Sequence, residues 1–273
     1  MADNLIDDLR LAHLLADNAD SITMDRFRAQ DLSISWKADR TVVSDADKAV
    51  EESIRRSLAT ARGRDAIHGE ELEDFGWGPR RWVIDPIDGT ANFVRGVPVW
   101  ATLIALMVED RPVVSVVSAP ALSRRWWAHS GGGAYTGKSL LTGRPIHVSS
   151  VNRIEDSFLS YSSLGGWVKS GRGRQFGTLL RLSKRTRGFG DFWSYMMVAE
   201  GGVDVAAEPE LALYDMAALV PIVTEAGGRF TSLDGEPGPF GPGAVCTNGK
   251  LHQAVLDILT PDDGEDSLVI PRD

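Results

Sequence analysis

Trp82-Val83-Ile84-Asp85-Pro86-Ile87-Asp88-Gly89-Thr90 is the stretch that decides how this sequence is read. Three β-prone residues are followed by two carboxylates three positions apart, with Pro between them fixing the backbone and Gly permitting a tight turn. The spacing predicts a short strand over 82–84 that breaks at Asp85. Sites in α/β proteins are commonly built at strand termini, where a rigid scaffold meets an accessible loop. Hard divalent cations such as Mg²⁺ take carboxylate and carbonyl oxygens and keep waters to fill an octahedron. If a helix starts at Gly89, the amides of Gly89 and Thr90 are placed to meet an anion such as phosphate. An Asx-type turn capping a loop would also account for these residues.

Two further places repeat the theme. Upstream, His68-Gly69-Glu70-Glu71 follows the β-prone Ala66-Ile67; a solvated acidic pair is the plainer reading of Glu70 and Glu71, and His68 has no second histidine at ligand spacing. Downstream, Leu213-Tyr214-Asp215-Met216-Ala217-Ala218 places an Asp at the start of an Ala-rich helix running to Glu225, where an N-cap role alone would explain it.

Outward from these points, leucines and other apolar residues at near-helical spacing predict one or two amphipathic helices over 5–28. Ser44-Asp45-Ala46-Asp47 reads as a helix start, with Val50, Ile54 and Leu58 recurring behind it. Segments 99–108 and 113–119 predict adjacent strands joined by Glu109-Asp110-Arg111-Pro112, and Arg124–Ala128 a further strand before Gly131-Gly132-Gly133. Trp126 and Trp127 suit either core or an interface. From about residue 146 short strands (157–161, 186–189, 203–206) alternate with helices (174–184, 191–201, 214–226, 250–259), an α/β pattern. The expected organisation is an N-terminal α+β subdomain over 1–145 carrying most metal ligands. A C-terminal α/β subdomain over 146–260 supplies Asp215 and substrate selectivity, and 261–273 is a loose acidic tail.

Composition narrows the function classes. With 43% hydrophobic and 25% charged residues over 273 positions, the chain has an ordinary globular core and does not belong to the disordered or fibrous classes. A net charge of −9, with acids spread along the chain, argues against nucleic acid as partner, which calls for a basic face. The basic group Arg172, Arg174, Arg181, Lys184, Arg185 and Arg187 reads first as solvated surface. No apolar run approaches the roughly 18 residues that span a bilayer. The opening Met1-Ala2-Asp3-Asn4 shows no signal-peptide pattern, and the single Cys246 forms no internal disulfide. A cytoplasmic protein without membrane partner is expected.

Taken together, Gly69-Glu70-Glu71, then Asp85-Pro86-Ile87-Asp88-Gly89-Thr90, then Asp215 in Leu213–Ala218 resemble the inositol monophosphatase family. So do Val43–Glu51 and Glu225-Ala226-Gly227-Gly228. The resemblance extends from the first helix to about residue 260. It implies an α/β (α+β) fold, the layered α-β-α-β-α sandwich of the inositol monophosphatase and sugar phosphatase type, and a homodimer. It further implies two or three Mg²⁺ ions held by Glu70, Asp85, the Ile87 carbonyl, Asp88 and Asp215. Thr90 and Asp47 would then orient and deprotonate an attacking water, Glu70 would assist, and the Gly89 and Thr90 amides would hold the phosphate. Thr41 stands about where other members carry an acid, so the support of a third metal site differs here.

The leaving group of the small phosphorylated metabolite is expected to be read by the later half of the chain. Glu208 lies seven residues before Asp215, where inositol phosphatases also place a glutamate. In Gly188-Phe189-Gly190-Asp191-Phe192, inositol phosphatases usually carry a small residue where this chain has Asp191. A second carboxylate suits a cationic leaving group such as histidinol, and Arg187 stands close by in sequence. Alternatively Asp191 caps the helix after it. The segments Arg95–Trp100, Ser118–Trp127 and Gly190-Asp191-Phe192 resemble the actinobacterial histidinol-phosphate phosphatases of the family. Hydrolysis of L-histidinol phosphate is therefore expected, with an inositol-1-phosphatase, a broad-specificity phosphatase or an inactive regulatory relative as the alternatives.

Overall fold

The computed structural model describes residues 2–37 and 41–260. These fall into two units: one runs to Ile146 and also takes in Leu213–Glu225, the other comprises His147–Ala212 and the residues from Ala226 on. Asp215 thus belongs with the first unit rather than, as expected, with the C-terminal half. The predicted tail over 261–273 lies outside the described residues.

The first unit is built on a seven-stranded sheet whose spatial order follows the chain: Ala66–Gly69, Arg80–Asp88, Ala101–Val108, Arg111–Ala119, Arg124–His129, Ala134–Thr136 and Arg144–Pro145. Only the first pair is parallel; the rest form an antiparallel meander. Glu109 and Asp110 join two of these strands with φ of 50° and 63°, the two positive angles that a type I′ hairpin turn requires. One helix, Ala2–Arg26, covers the region where one or two were expected. Its Leu9, Ala12, Leu15, Ala16 and Ala19 stripe packs with Val50, Ile54 and Leu58 of the helix Asp45–Ala61 against Trp82, Ile84, Ile104 and Val116 of the sheet. Trp126 and Trp127 are both buried, so the tryptophan pair belongs to the core.

The helix Asp45–Ala61 starts where the sequence predicts. Ser44 Oγ accepts the Ala46 N–H and Asp47 accepts the Ser44 N–H, a reciprocal cap that satisfies donors the first turn leaves open. In contrast, the strand predicted over 82–84 does not break at Asp85. It runs from Arg80 to Asp88, and the break becomes a bulge: Asp85 pairs with Leu103 and Asp88 with Ala101, leaving one residue more on this strand than on its partner. Pro86 has no N–H to give the ladder, and the Thr102 hydroxyl takes up its carbonyl at 2.8 Å. The helix predicted over 214–226 is two helices, Leu213–Ala217 and Leu219–Glu225. Pro221 explains the interruption, since its ring opposes the carbonyl four residues back, at Ala217.

The second unit carries a five-stranded sheet in the order Arg185–Arg187, Phe158–Ser160, Val205–Glu208, Ala244–Thr247, Arg229–Thr231, parallel across its first three strands and antiparallel beyond. Its core gathers Leu159, Trp167, Phe176, Val205, Val245 and Val255. The architecture as a whole is the mixed helix-and-sheet class read from the sequence. Among the described residues no helix is long and apolar enough to cross a membrane.

Candidate active site

The bulge does the first piece of chemical work. In a regular strand, residues three apart face opposite sides. The extra residue between Asp85 and Asp88 restores them to one side, and Asp215 joins them from the helix Leu213–Ala217. Asp85, Asp88 and Asp215 each offer a carboxylate oxygen within 4.8 Å of the other two. Ile87 anchors the bulge from behind, its side chain buried with Ala46, Phe93 and Trp100 in a small separate core.

Three carboxylates this close repel one another unless a cation or protons intervene. Asp85 is 1% exposed, and its Oδ1 has no hydrogen-bond partner among the described residues. Burial first, and then the charges of Glu70, Asp88 and Asp215, push its pKa well above the ordinary carboxylate range. An orphaned, buried oxygen in a ring of acids fits a hard divalent cation, which would supply the missing coordination and the balancing charge.

Glu70 borders this set and, like Asp85, is raised chiefly by burial. Its Oε1 is taken by Lys37 Nζ at 2.7 Å, and the same ammonium reaches Glu71 Oε1 at 2.7 Å. Lys37 follows the strand Ile34–Trp36, which pairs with Val42–Ser44 in a separate two-stranded sheet. His68 is structural in its contacts: Nδ1 lies 2.6 Å from Asp74, and the ring stacks on Tyr214 with centroids 6.2 Å apart. Burial and the nearby Glu70 and Asp215 charges push the Tyr214 hydroxyl up.

The second group of expected residues sits at the end of the bulged strand. Gly89 has φ 87°, a left-handed turn that glycine adopts without cost, and the helix Thr90–Val94 follows at once. Thr90 Oγ1 lies 3.1 Å from Asp47 Oδ1 and 2.9 Å from the Ile87 carbonyl. Asp47 is fully buried; burial raises its pKa to about 6 in spite of hydrogen bonds from the Ser44 hydroxyl and N–H. A neutralised or weakly acidic carboxyl facing a hydroxyl is equipped to relay a proton near neutral pH.

The remaining three candidates lie in the second unit. Glu208 ends the strand Val205–Glu208 and is buried. Arg187 ends the exposed edge strand Arg185–Arg187. Asp191 is not the helix cap that was the alternative: the helix Asp191–Ala199 includes it, and Gly190 holds the N-cap place. Its φ of 48° is left-handed, a conformation uncommon for residues other than glycine and tolerated best by Asn and Asp. Burial raises its pKa to about 6. Glu71 and Tyr214 carry no sequence signal beyond their closeness to Glu70 and Asp215, and Lys37, 33 positions from Glu70, carries none, because its partners are brought near by folding.

The chain as a whole is similar to known proteins. Residues 7–260 match the family model of the inositol monophosphatase family. A histidinol-phosphatase of Streptomyces coelicolor is 60% identical over 93% of this chain and 97% of its own length. One from Mycobacterium tuberculosis is 52% identical over 93% and 98%. Among solved structures, an inositol monophosphatase from Zymomonas mobilis superposes with a TM-score of 0.81 at 32% identity, covering 93% of this chain and 97% of that one. With its carboxylate cluster on a bulged strand and a match along nearly its whole length, the chain belongs to the inositol monophosphatase family.

Proposed function

We propose that the protein is a Mg²⁺-dependent phosphoric monoester hydrolase that converts L-histidinol phosphate to L-histidinol and phosphate, as a step of histidine biosynthesis. The observation that carries the chemistry is the cluster of Asp85, Asp88 and Asp215 around an unpartnered buried oxygen. The substrate rests on the two histidinol-phosphatase relatives, which match 93% of this chain.

In this reading Glu70, Asp85, the Ile87 carbonyl, Asp88 and Asp215 hold two or three Mg²⁺ ions. When bound, the metal lowers the pKa of water and stabilises charge on the phosphoryl and leaving-group oxygens. The chain's own part is positional. The N–H groups of Gly89 and Thr90, left outside the hydrogen bonding of the helix they open, hold a phosphate oxygen. Asp47 accepts a hydrogen bond from the Thr90 hydroxyl, leaving the lone pairs of Thr90 Oγ1 to orient the attacking water; as the water gives a proton to Thr90 Oγ1, the hydroxyl proton passes to Asp47. Attack is in line, with no covalent enzyme intermediate. Asp191 and Glu208 pair with the cationic histidinol group, and Arg187 contributes to substrate or phosphate binding. A homodimer in the cytoplasm is part of the same proposal, and light scattering of the purified protein checks the oligomeric state.

The test is kcat/KM measured on histidinol phosphate, inositol-1-phosphate and a nucleotide monophosphate with Mg²⁺ present. Histidinol phosphate is expected to lead by at least about tenfold, the yield of one good charged contact at about 1.4 kcal/mol per decade. A lead for inositol-1-phosphate would overturn the substrate and leave the hydrolase standing. Thr90→Ala is expected to lower kcat by about tenfold with KM nearly unchanged, because the orienting hydroxyl is lost while the backbone amide remains. Steady-state kinetics check this; a raised KM with intact kcat would assign Thr90 to binding instead.

A further inference from the structure

Glu70 stands on a loop, and a loop residue holds a metal well only if its backbone is fixed. The fixing group lies one helical turn beyond Asp47. Glu51 is fully buried, and a buried carboxylate is tolerated only when its oxygens are satisfied. Three donors satisfy them. Arg55 Nε reaches Oε1 at 2.8 Å and Arg55 Nη2 at 2.7 Å, while the Glu71 N–H reaches Oε2 at 2.8 Å. Arg55 Nη2 also donates to the Leu72 carbonyl at 3.1 Å. On the other side of Glu70 the carboxylate lies flat against Gly69. A Cβ at that position would sit 2.0 Å from Glu51 Oε1 and 2.7 Å from Oε2, so any side chain there would displace the Glu51 carboxylate from its present place.

The backbone on either side of Glu70 is thereby bracketed at positions 69, 71 and 72 by one ion pair. The same helix face carries Asp47, which takes the Thr90 hydroxyl, because positions 47 and 51 are one turn apart. A single rigid helix sets both the Glu70 loop and the Thr90 turn.

We propose that Glu51, locked by Arg55, is a positioning residue that sets the metal affinity of the site through Glu70. The inference rests on the reading of Glu70 as a metal ligand. Supporting residues of this kind typically contribute about 10–100-fold to metal affinity or activity. In Glu51→Gln the amide has one acceptor oxygen and one NH₂ facing two sets of donors, so the Glu71 N–H or the guanidinium loses its partner.

The test is calorimetric titration of the full chain with Mn²⁺, alongside the melting temperature without metal. Glu51→Gln is expected to weaken Mn²⁺ binding about tenfold or more, and Arg55→Lys, which cannot fork to Glu51 and Leu72 together, to weaken it less. Arg55→Lys supplies the answer should Glu51→Gln fail to fold. In the Glu51→Gln/Glu70→Gln double variant, binding is expected to be no weaker than in Glu70→Gln alone, since Glu51 acts only through Glu70. A lowered melting temperature with wild-type Mn²⁺ affinity in the Glu51 and Arg55 variants, beside a weakened Glu70→Gln, overturns the proposal. Wild-type affinity in Glu70→Gln overturns the underlying assignment of Glu70 instead.

Discussion

Asp88→Asn is expected to lower kcat by about a thousandfold or more while leaving the protein folded. The amide keeps the shape of the carboxylate but removes one charge from the group that Asp85 and Asp215 complete. If that group holds the catalytic cations, both metal affinity and transition-state stabilisation fall. A loss of about 4 kcal/mol, within the several kcal/mol a Lewis-acid contact supplies, is about three decades in rate. Folding should not suffer, because relieving a crowd of like-charged acids does not destabilise the metal-free chain. Chelation with EDTA is expected to remove activity equally, Mg²⁺ to restore it, and Ca²⁺ to fail, since Ca²⁺ prefers longer bonds and more ligands than an octahedral phosphoryl-transfer site offers. Phosphate release and circular dichroism measure the two sides. Retention of more than about a tenth of the activity at saturating Mg²⁺ would remove Asp88 from the metal site, because a lost ligand charge is worth more than one decade.

The second large effect is one of specificity. Asp191→Asn is expected to reduce kcat/KM for histidinol phosphate by roughly ten- to a hundredfold, while a neutral phosphate ester changes little. A charge-assisted hydrogen bond in a partly desolvated place is worth about 1.5–3 kcal/mol. Asparagine is the right replacement because it shares the tolerance of Asp for the left-handed φ of 48° at this position. Alanine would mix backbone strain with the loss of charge. The pKa near 6 adds a second signature. If Asp191 meets the leaving group, its carboxylate would attract the ammonium above that pH and be neutral below it, so the wild-type preference for the cationic substrate should shrink as pH falls through about 6. Ratios of kcat/KM for the two esters across pH 5–8 test both effects. Equal losses on the two substrates, with a lower melting temperature, would make Asp191 a structural residue.

Much of this site is legible in the sequence because its acids stand at local breaks in pattern: Asp85 and Asp88 around a Pro, Asp215 at a helix start. What the pattern misreads is the bulge. Asp, Pro and Gly are poor strand formers, so a local reading ends the strand at Asp85, whereas pairing with Ala101–Leu103 carries it on to Asp88. The break at Ala218 was written in Pro221, yet an Ala-rich run outweighs one proline when residues are read by propensity alone. Lys37 and Glu51 escape for a different reason. The loop residues they hold, Glu70 and Glu71, lie 33 and 20 positions away, and no periodicity links them.

The discontinuity of the first unit also governs the order in which the protein can be made. Leu219–Glu225 packs on the strands Arg111–Ala119, Arg124–His129 and Ala134–Thr136, and its buried Leu219, Ile222 and Val223 belong to that unit. The Glu225 carboxylate also accepts the N–H groups of Gly131 and Gly133, at 2.7 and 2.8 Å. During synthesis, a nascent chain that has reached residue 146 has every strand of its large sheet and the helices Ala2–Arg26 and Asp45–Ala61, but lacks Leu213–Ala217 and Leu219–Glu225, and waits for them through some seventy further residues, several seconds at about 5–20 residues per second. The carboxylate triad cannot close in that interval either, since Asp215 arrives with the same segment. A fragment ended at Ile146 would reproduce that waiting state permanently, with the surface that Leu219, Ile222 and Val223 cover left bare and its carboxylate cluster one member short.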